Sequence, residues 1–174
     1  MKILLLGMNN PLSDAPEYDL YPYPDGCTGW RLWQMLPDGT SRQQYLDAFD
    51  RRNLLRAREW NAAQARRVAQ ELLPDLMGRV VVVLGSEVRA ALGLPPAEPL
   101  RMSKFPIQAG GIEDDMRWIA FPHPSGRNRW FNDPGNQFQA RQLLQALWRS
   151  SVAGTVDKVW EEAMVLQHAR EAAT

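Results

Sequence analysis

A histidine held between two prolines is the residue of this chain best placed to do chemistry. Pro122-His123-Pro124 follows a short apolar run, and the flanking prolines restrict the backbone that carries the imidazole. An imidazole titrates near neutrality and serves as acid, base or hydrogen-bond donor. The same stretch continues as Ser125-Gly126-Arg127-Asn128-Arg129, which adds a hydroxyl and two guanidinium groups. A second polar cluster is Gly7-Met8-Asn9-Asn10-Pro11, also after an apolar run. Asn side chains are not bases, but they orient water and read the edges of planar ligands. Asn53, and Ser86 after Gly85, stand at two further apolar runs. His168 lies in a C-terminal helical pattern and reads as solvated or packed. Glu17, Asp19 and Asp25 have no spacing that pairs them for acid–base work, and they read as surface carboxylates.

Several chemistries are excluded at this level. No G-x-S-x-G elbow or G-x-x-x-x-G-K-[ST] phosphate loop occurs. One cysteine, Cys27, and two histidines cannot build a disulfide framework, an iron–sulfur site or a motif-spaced zinc site. We therefore expect no metal and no cofactor.

These residues need a scaffold, and the sequence indicates one. Ile3–Leu6, Val80–Leu84 and Trp118–Phe121 are apolar runs closed by Gly7, Gly85 and Pro122, and Asn53–Leu55 is a weaker fourth. Continuous apolar runs of this kind are buried parallel strands. Helices are expected between them: Gly29–Leu36 capped by Thr28, a helix to Phe49 opened by a Ser41/Gln44 capping box, and one from Asn61 with Gln64 to Leu73. Glu87–Leu92 capped by Ser86, Pro134–Ser150, and an amphipathic Val156–Ala172 complete the set. Residues 94–117 hold four prolines, a Gly-Gly pair and an acidic run, and read as a loop with room for a hairpin. The order predicts an α/β fold, a three-layer α/β/α sandwich around a mostly parallel sheet of about four strands. In such sheets ligands bind beyond the carboxyl ends of the strands, where the polar clusters fall.

The 174 residues form a single domain, 1–174, with residues 155–174 as an appended C-terminal helix. An apolar fraction of 45% is enough for a real core. No apolar run approaches the ~20 residues of a membrane span. The first residues run straight into a Gly and Asn turn without a secretory pattern, so a cytoplasmic location is expected. Net charge is zero, which argues against coating nucleic acid by bulk electrostatics but leaves room for a local basic site. Lys2, Lys104 and Lys158 are the lysines among 20 basic residues, so Arg dominates. Arg suits forked contacts to phosphate or bases, and a GC-rich genome produces the same bias.

Two strings together resemble the uracil-DNA glycosylase superfamily. Gly7-Met8-Asn9-Asn10-Pro11 is similar to the G-M-N-P-G first motif of the single-strand-selective monofunctional branch and the G-I-N-P-G of the mismatch-specific uracil/thymine branch. His123-Pro124-Ser125-Gly126-Arg127-Asn128 resembles the second motif, H-P-S-P-R-N or H-P-S-P-L-S. Tyr21–Trp33 is similar to the Y-P-x-P segment and aromatic-rich helix of the mismatch-specific branch, and Val80–Gly93 resembles the family's V-V-x-L-G-x-x-A-x-x-A-L-G element. The likeness covers residues 1 to 150. The cysteine count excludes the iron–sulfur branches.

The resemblance implies a monofunctional DNA glycosylase that flips uracil or a modified pyrimidine out of DNA and hydrolyses its N-glycosidic bond. By position, His123 would donate to the base as negative charge builds. Asn9 or Asn10 would position the attacking water, the choice depending on whether one counts from Gly7 or back from Pro11. Asn53 would read the base edge, and Tyr21 or Tyr23 would stack on it. Ser86, Ser125 and Arg129 would contact phosphate, and Arg127 would occupy the wedge position. The motif's final Gly is replaced by Leu12, so the C5 side of the pocket that this loop shapes is expected to differ from a strict uracil pocket and to admit a larger C5 substituent. The partner would be DNA. Two alternatives stay open: a glycosylase for hypermodified phage DNA bases, in phage attack or defence, and a catalytically silent nucleic-acid-binding protein on the same fold.

Overall fold

Parallel pairing dominates the architecture. A computed structural model describes residues 2–172. Its five-stranded sheet contains β1 (Ile3–Asn9), β2 (Phe49–Leu55), β3 (Val80–Leu84), β4 (Met102–Ala109) and β5 (Ile112–Phe121), in the order β2-β1-β3-β5-β4. β1 pairs in parallel with β2 and β3, and β3 pairs in parallel with β5. Side-chain alternation divides the core in two. Ile3, Leu5, Val80, Val82, Ile119 and Phe121 face α1 (Thr28–Gln34), α2 (Arg42–Ala48), α5 (Pro134–Ala153) and α6 (Val156–Glu171). Leu4, Leu6, Val81, Val83 and Trp118 face α3 (Ala62–Leu76) and α4 (Ser86–Ala91). The chain is thus the expected α/β/α sandwich.

The structure departs from the sequence reading in the strand of the hairpin, in the start of β2 and in two helix caps. The segment 94–117 contributes an antiparallel hairpin, which supplies the fifth strand. Gly110 and Gly111 both have positive φ, +58° and +81°, the backbone of a two-residue turn between Ala109 and Ile112. Pro106 fits in β4 because β4 is an edge strand. β2 begins at Phe49 rather than Asn53, and its Asp50-Arg51-Arg52 hid it from an apolar-run criterion. It tolerates them because it is the other edge. The α1 cap is Cys27, whose Sγ accepts from Trp30 N at 3.4 Å, and not Thr28. Ser86 does not cap α4: Gly85, at φ +96°, is the N-cap residue. The Ser41/Gln44 box and the Asn61 cap are present.

The C-terminal helix is integrated rather than appended. Val156 and Trp160 are 5% and 1% exposed within the core that α5 also fills. Farther along, Gln167 donates to Met102 O at 3.1 Å and accepts from Met102 N at 3.0 Å, clamping the start of edge strand β4. Arg117 and Asp157 form an ion pair at 2.6 Å. Trp160→Ala should therefore cost about 3–5 kcal/mol of stability, the usual range for a large buried aromatic. Lys158→Ala, on the exposed side of the same helix, should stay within about 0.5 kcal/mol of wild type. Denaturant unfolding of both variants measures this, and similar small losses for the two would mean α6 lies outside the cooperative core.

Candidate functional site

The parallel register sends the carboxyl ends of β1, β2, β3 and β5 to one edge of the sheet, and that edge carries the candidate residues. Two clefts open there. One, of about 490 Å3, is lined by Asn9, Asn10, Leu12, Tyr21, Tyr23 and Asn53 among others. The second, of about 700 Å3, is lined by Ser86, His123, Ser125 and Arg127, with Met8 of β1 at its boundary. Strand alternation is the reason for the division. Met8 packs with the α3/α4 side of the sheet, whereas Asn9 points the other way. Arg129 is exposed and lines neither cleft.

In the smaller cleft the two motif asparagines have different states. Asn10 is 6% exposed, and both ends of its amide are occupied: Nδ2 donates to Tyr18 O at 3.1 Å, and Oδ1 accepts from Leu12 N at 3.1 Å. It is a loop-forming residue. Asn9 donates through Nδ2 to Ala57 O and Arg58 O, at 3.2 and 2.7 Å. Those bonds fix its amide and leave Oδ1 as an acceptor with no partner among the described residues.

Asn53 is 5% exposed and lies opposite Gly7 in the β1–β2 register. A Cβ on Gly7 would stand 2.3 Å from Asn53 Oδ1, so glycine is required there. Asp19, expected at the surface, is instead 3% exposed, which overturns that reading. Its Oδ2 accepts from Asn53 N at 3.0 Å and its Oδ1 from Asn53 Nδ2 at 3.2 Å. Burial raises the Asp19 pKa above its ordinary value, and the Asn53 bonds with Arg56 and Arg51 pull it back. Asn53 Oδ1 is buried with no hydrogen-bond partner. Glu17 and Asp25 are exposed, as expected.

Aromatic rings border the same cleft. Tyr21 meets Tyr18 edge-on at 5.6 Å. Tyr23 is 60% exposed, with the Arg42 guanidinium 5.7 Å from its ring centre. The adjoining Leu12 is 61% exposed.

The larger cleft is built around His123. Its carbonyl accepts from Ser125 N at 2.8 Å and from Asn128 Nδ2 at 3.0 Å, which closes the loop into a tight turn. Its ring packs over Gly85, where an added Cβ would meet His123 Cβ at 3.1 Å. Neither ring nitrogen has a partner within the described chain. Burial lowers the His123 pKa from 6.5, and Glu87 opposes the shift. Ser125 and the exposed Arg127 stand at the rim. Ser86 gives its hydroxyl to the Glu87 carboxylate at 2.9 Å, a weak arrangement for a phosphate contact. Trp130 and Phe131 anchor the loop: their rings meet at 4.9 Å, and Phe131 packs on Phe121 at 6.5 Å. His168 is exposed on α6.

Asp19, Tyr18 and Asn128 are the site residues that sequence reasoning missed. Asn128 carried a usable signal, since an Asn ahead of a helical turn is a capping residue, and its Oδ1 accepts from Trp130 N at 3.1 Å. Asp19 carried none, because only the β2 partner reveals its burial. Among the described residues, no three His, Cys, Asp or Glu side chains gather as a metal site requires. No helix among them is long and apolar enough to cross a membrane. Comparison with protein-family models, curated proteins and solved structures finds no match.

The state of His123 predicts a pH dependence. A histidine with a depressed folded pKa stabilises the fold above its unfolded value and loses that contribution as pH falls through the folded value. Stability should be level above pH 7 and decline below about 6.5. Unfolding of His123→Gln across that window should show a shallower acid decline than wild type. Equal slopes would mean that the imidazole is solvated.

Proposed function

We propose that this protein is a monofunctional DNA glycosylase that hydrolyses the N-glycosidic bond of a flipped pyrimidine. The observation that carries the reading is a conjunction. A partly buried imidazole, its pKa lowered by burial and both ring nitrogens without a partner among the described residues, stands on the same sheet edge as a cleft with two fixed amides and exposed tyrosines. Bond cleavage leaves an oxocarbenium-like sugar and a pyrimidine anion. A preorganised donor aimed at that anion acts on charge present only in the transition state. His123, held against Gly85, is suited to it. Asn9, with Oδ1 available, suits orientation of water better than Asn10, whose amide is consumed. A water needs only orientation when the electrophile is already cationic. Asn53 would read the base, and Tyr21 or Tyr23 would stack on it. Ser125 and Arg129 would meet phosphate, with Arg127 as the wedge and Ser86 the weakest of the proposed contacts.

The cleft volume, about 490 Å3, leaves space beyond a bare pyrimidine ring. This favours a substituted base, including a hypermodified phage base, as substrate. The division of candidates over two clefts favours a second reading, a nucleic-acid-binding protein without catalysis. A base-release assay over a panel of modified pyrimidines separates the two.

If His123 acts on developing charge, His123→Ala should reduce single-turnover cleavage by about 10²–10³. Affinity for an uncleavable substrate should change little. An equal loss in both would make His123 a binding residue.

A wedge stabilises the flipped state by filling the vacated stack, where unstacking costs a few kcal/mol. Arg127→Ala should therefore weaken activity on paired DNA much more than on single strands. Arg129→Ala should weaken both alike and reduce the salt dependence by about one unit. Equal losses on both substrates for Arg127→Ala would leave it as another phosphate contact.

A further inference from the structure

We propose that a third groove, beside the His123 loop, seats a backbone phosphate of a nucleic-acid strand between Arg31 of α1 and Arg141 of α5. The inference rests on the nucleic-acid reading of the two neighbouring clefts. Its starting observation is a charge imbalance. The groove encloses about 320 Å3 between α1, the turn after His123 and the first turns of α5. Two guanidinium groups line it, and no Asp or Glu does. Neither arginine belongs to an ion pair among the described residues. Asp133, which follows the lining residue Asn132, spends its carboxylate on the N–H groups of Gly135 and Asn136, at 2.7 and 3.2 Å.

Both guanidinium groups are tethered by main-chain oxygens, which leave the positive charge uncompensated. Arg31 donates through Nε to Gly26 O at 3.1 Å, and Arg141 donates to Gln34 O at 3.3 Å. Each keeps further N–H donors without a partner among the described residues. Arg31 also lies over Gly126, where a Cβ would stand 2.8 Å from its Nη2. The missing side chain gives the guanidinium its place against the turn. Two like charges lining one groove raise its potential, and concave walls focus that field. A guanidinium fork matches the oxygens of a phosphate and keeps its proton at any working pH. The Ser125 hydroxyl and the amides of Gln34 and Asn132 add donors to the lining and no negative charge.

The position of the groove selects its ligand. Ser125 lines both the groove and the His123 cleft. Along α1, Thr28 and Gly29 border the smaller cleft, and Trp30, Arg31 and Gln34 border the groove. A strand with one base in the smaller cleft would therefore run on past the groove. Trp30 adds an aromatic wall beside the two cations, and a basic groove with a stacking surface is the usual seat of a single strand.

The test uses single-stranded oligonucleotides carrying one 2′-fluoro-2′-deoxyuridine, whose glycosidic bond resists hydrolysis. Their flanking phosphates are replaced one at a time by uncharged methylphosphonate. In the full-length wild type, one replacement should cost about tenfold in affinity, the loss of one charge-assisted hydrogen bond. The same replacement should cost Arg141→Gln little, because the guanidinium that met the phosphate is gone. The salt dependence of that variant should be shallower by about 0.7, the single-strand value for one phosphate. Arg31→Gln should behave likewise. Gln34→Glu, which supplies the carboxylate that the groove lacks, should also remove the sensitivity of that position. Arg141 and Gln34 are exposed, so their variants decide the matter if Arg31→Gln does not fold. If every replacement costs the folded variants as much as the wild type, the groove does not hold the strand. Inorganic phosphate that binds wild type and not Arg141→Gln, with no sensitive position in the strand, would make the groove a seat for free phosphate and overturn the backbone assignment. Base release decides the glycosylase reading separately. A protein that shows the coupling but releases no modified pyrimidine keeps the groove and loses that reading, and one that releases base without the coupling does the reverse.

Discussion

A carboxylate removed from water must be held by donors, and at the carboxyl edge of this sheet that constraint organises everything around it. Asp19 is 3% exposed, and Asn53 of β2 supplies two of its donors. This fastens the loop after β1 to the edge strand. Asn53 in turn fits only because its register partner in β1, Gly7, has no Cβ. The next residue in the loop, Leu20, has its carbonyl held by the hydroxyl of Tyr45, itself fully buried in α2. Burial pushes the Tyr45 phenol well above its usual range and keeps it a donor. One chain of contacts thus joins β1, β2, α2 and the rim of the smaller cleft. A buried polar network of this type is costly when half satisfied, so each member constrains the others.

The larger cleft follows a different logic, in which backbone geometry does the positioning. His123 is placed by prolines, by two hydrogen bonds to its own carbonyl and by contact with a glycine at φ +96°. None of these touches the ring nitrogens. The imidazole is therefore held in place while its polar atoms stay uncommitted among the described residues, and burial lowers its pKa. Fixed orientation with free hydrogen-bonding capacity is what a preorganised donor requires. In the proposed reading, the two clefts share one ligand across the end of β1, with Met8 on one side and Asn9 on the other.

In the proposed reading, nucleic acid would be met through a local contact rather than a diffuse one. The chain has no net charge, yet Arg127 and Arg129 stand exposed on the His123 loop without partners in the described chain. Several other arginines are spent on architecture. Arg79 pairs with Asp50, Arg117 pairs with Asp157, and Arg51 holds the Asp19 carbonyl. The arginine excess alone would have suggested neither division.

The layer order, three of the four parallel strands in outline and the two loops at their ends are legible in the amino-acid sequence. Val80–Leu84 and Ile3–Leu6 are legible because a strand buried on both faces must be apolar throughout. The loops are legible because Gly, Asn and Pro have few other places to go. Edge strands are not, since one open side admits residues such as Asp50, Arg51 and Pro106, and their pairing is decided by partners distant in the chain. The same holds at the site. Asn9 and Asn10 look alike in one dimension, and they separate only when Tyr18, Leu12, Ala57 and Arg58 fold against them. Asp19 looked like any surface carboxylate until β2 came to lie beside β1 and buried it. Local propensity acts over a few residues, whereas burial and hydrogen-bond partnership belong to neighbours that only the tertiary fold brings together.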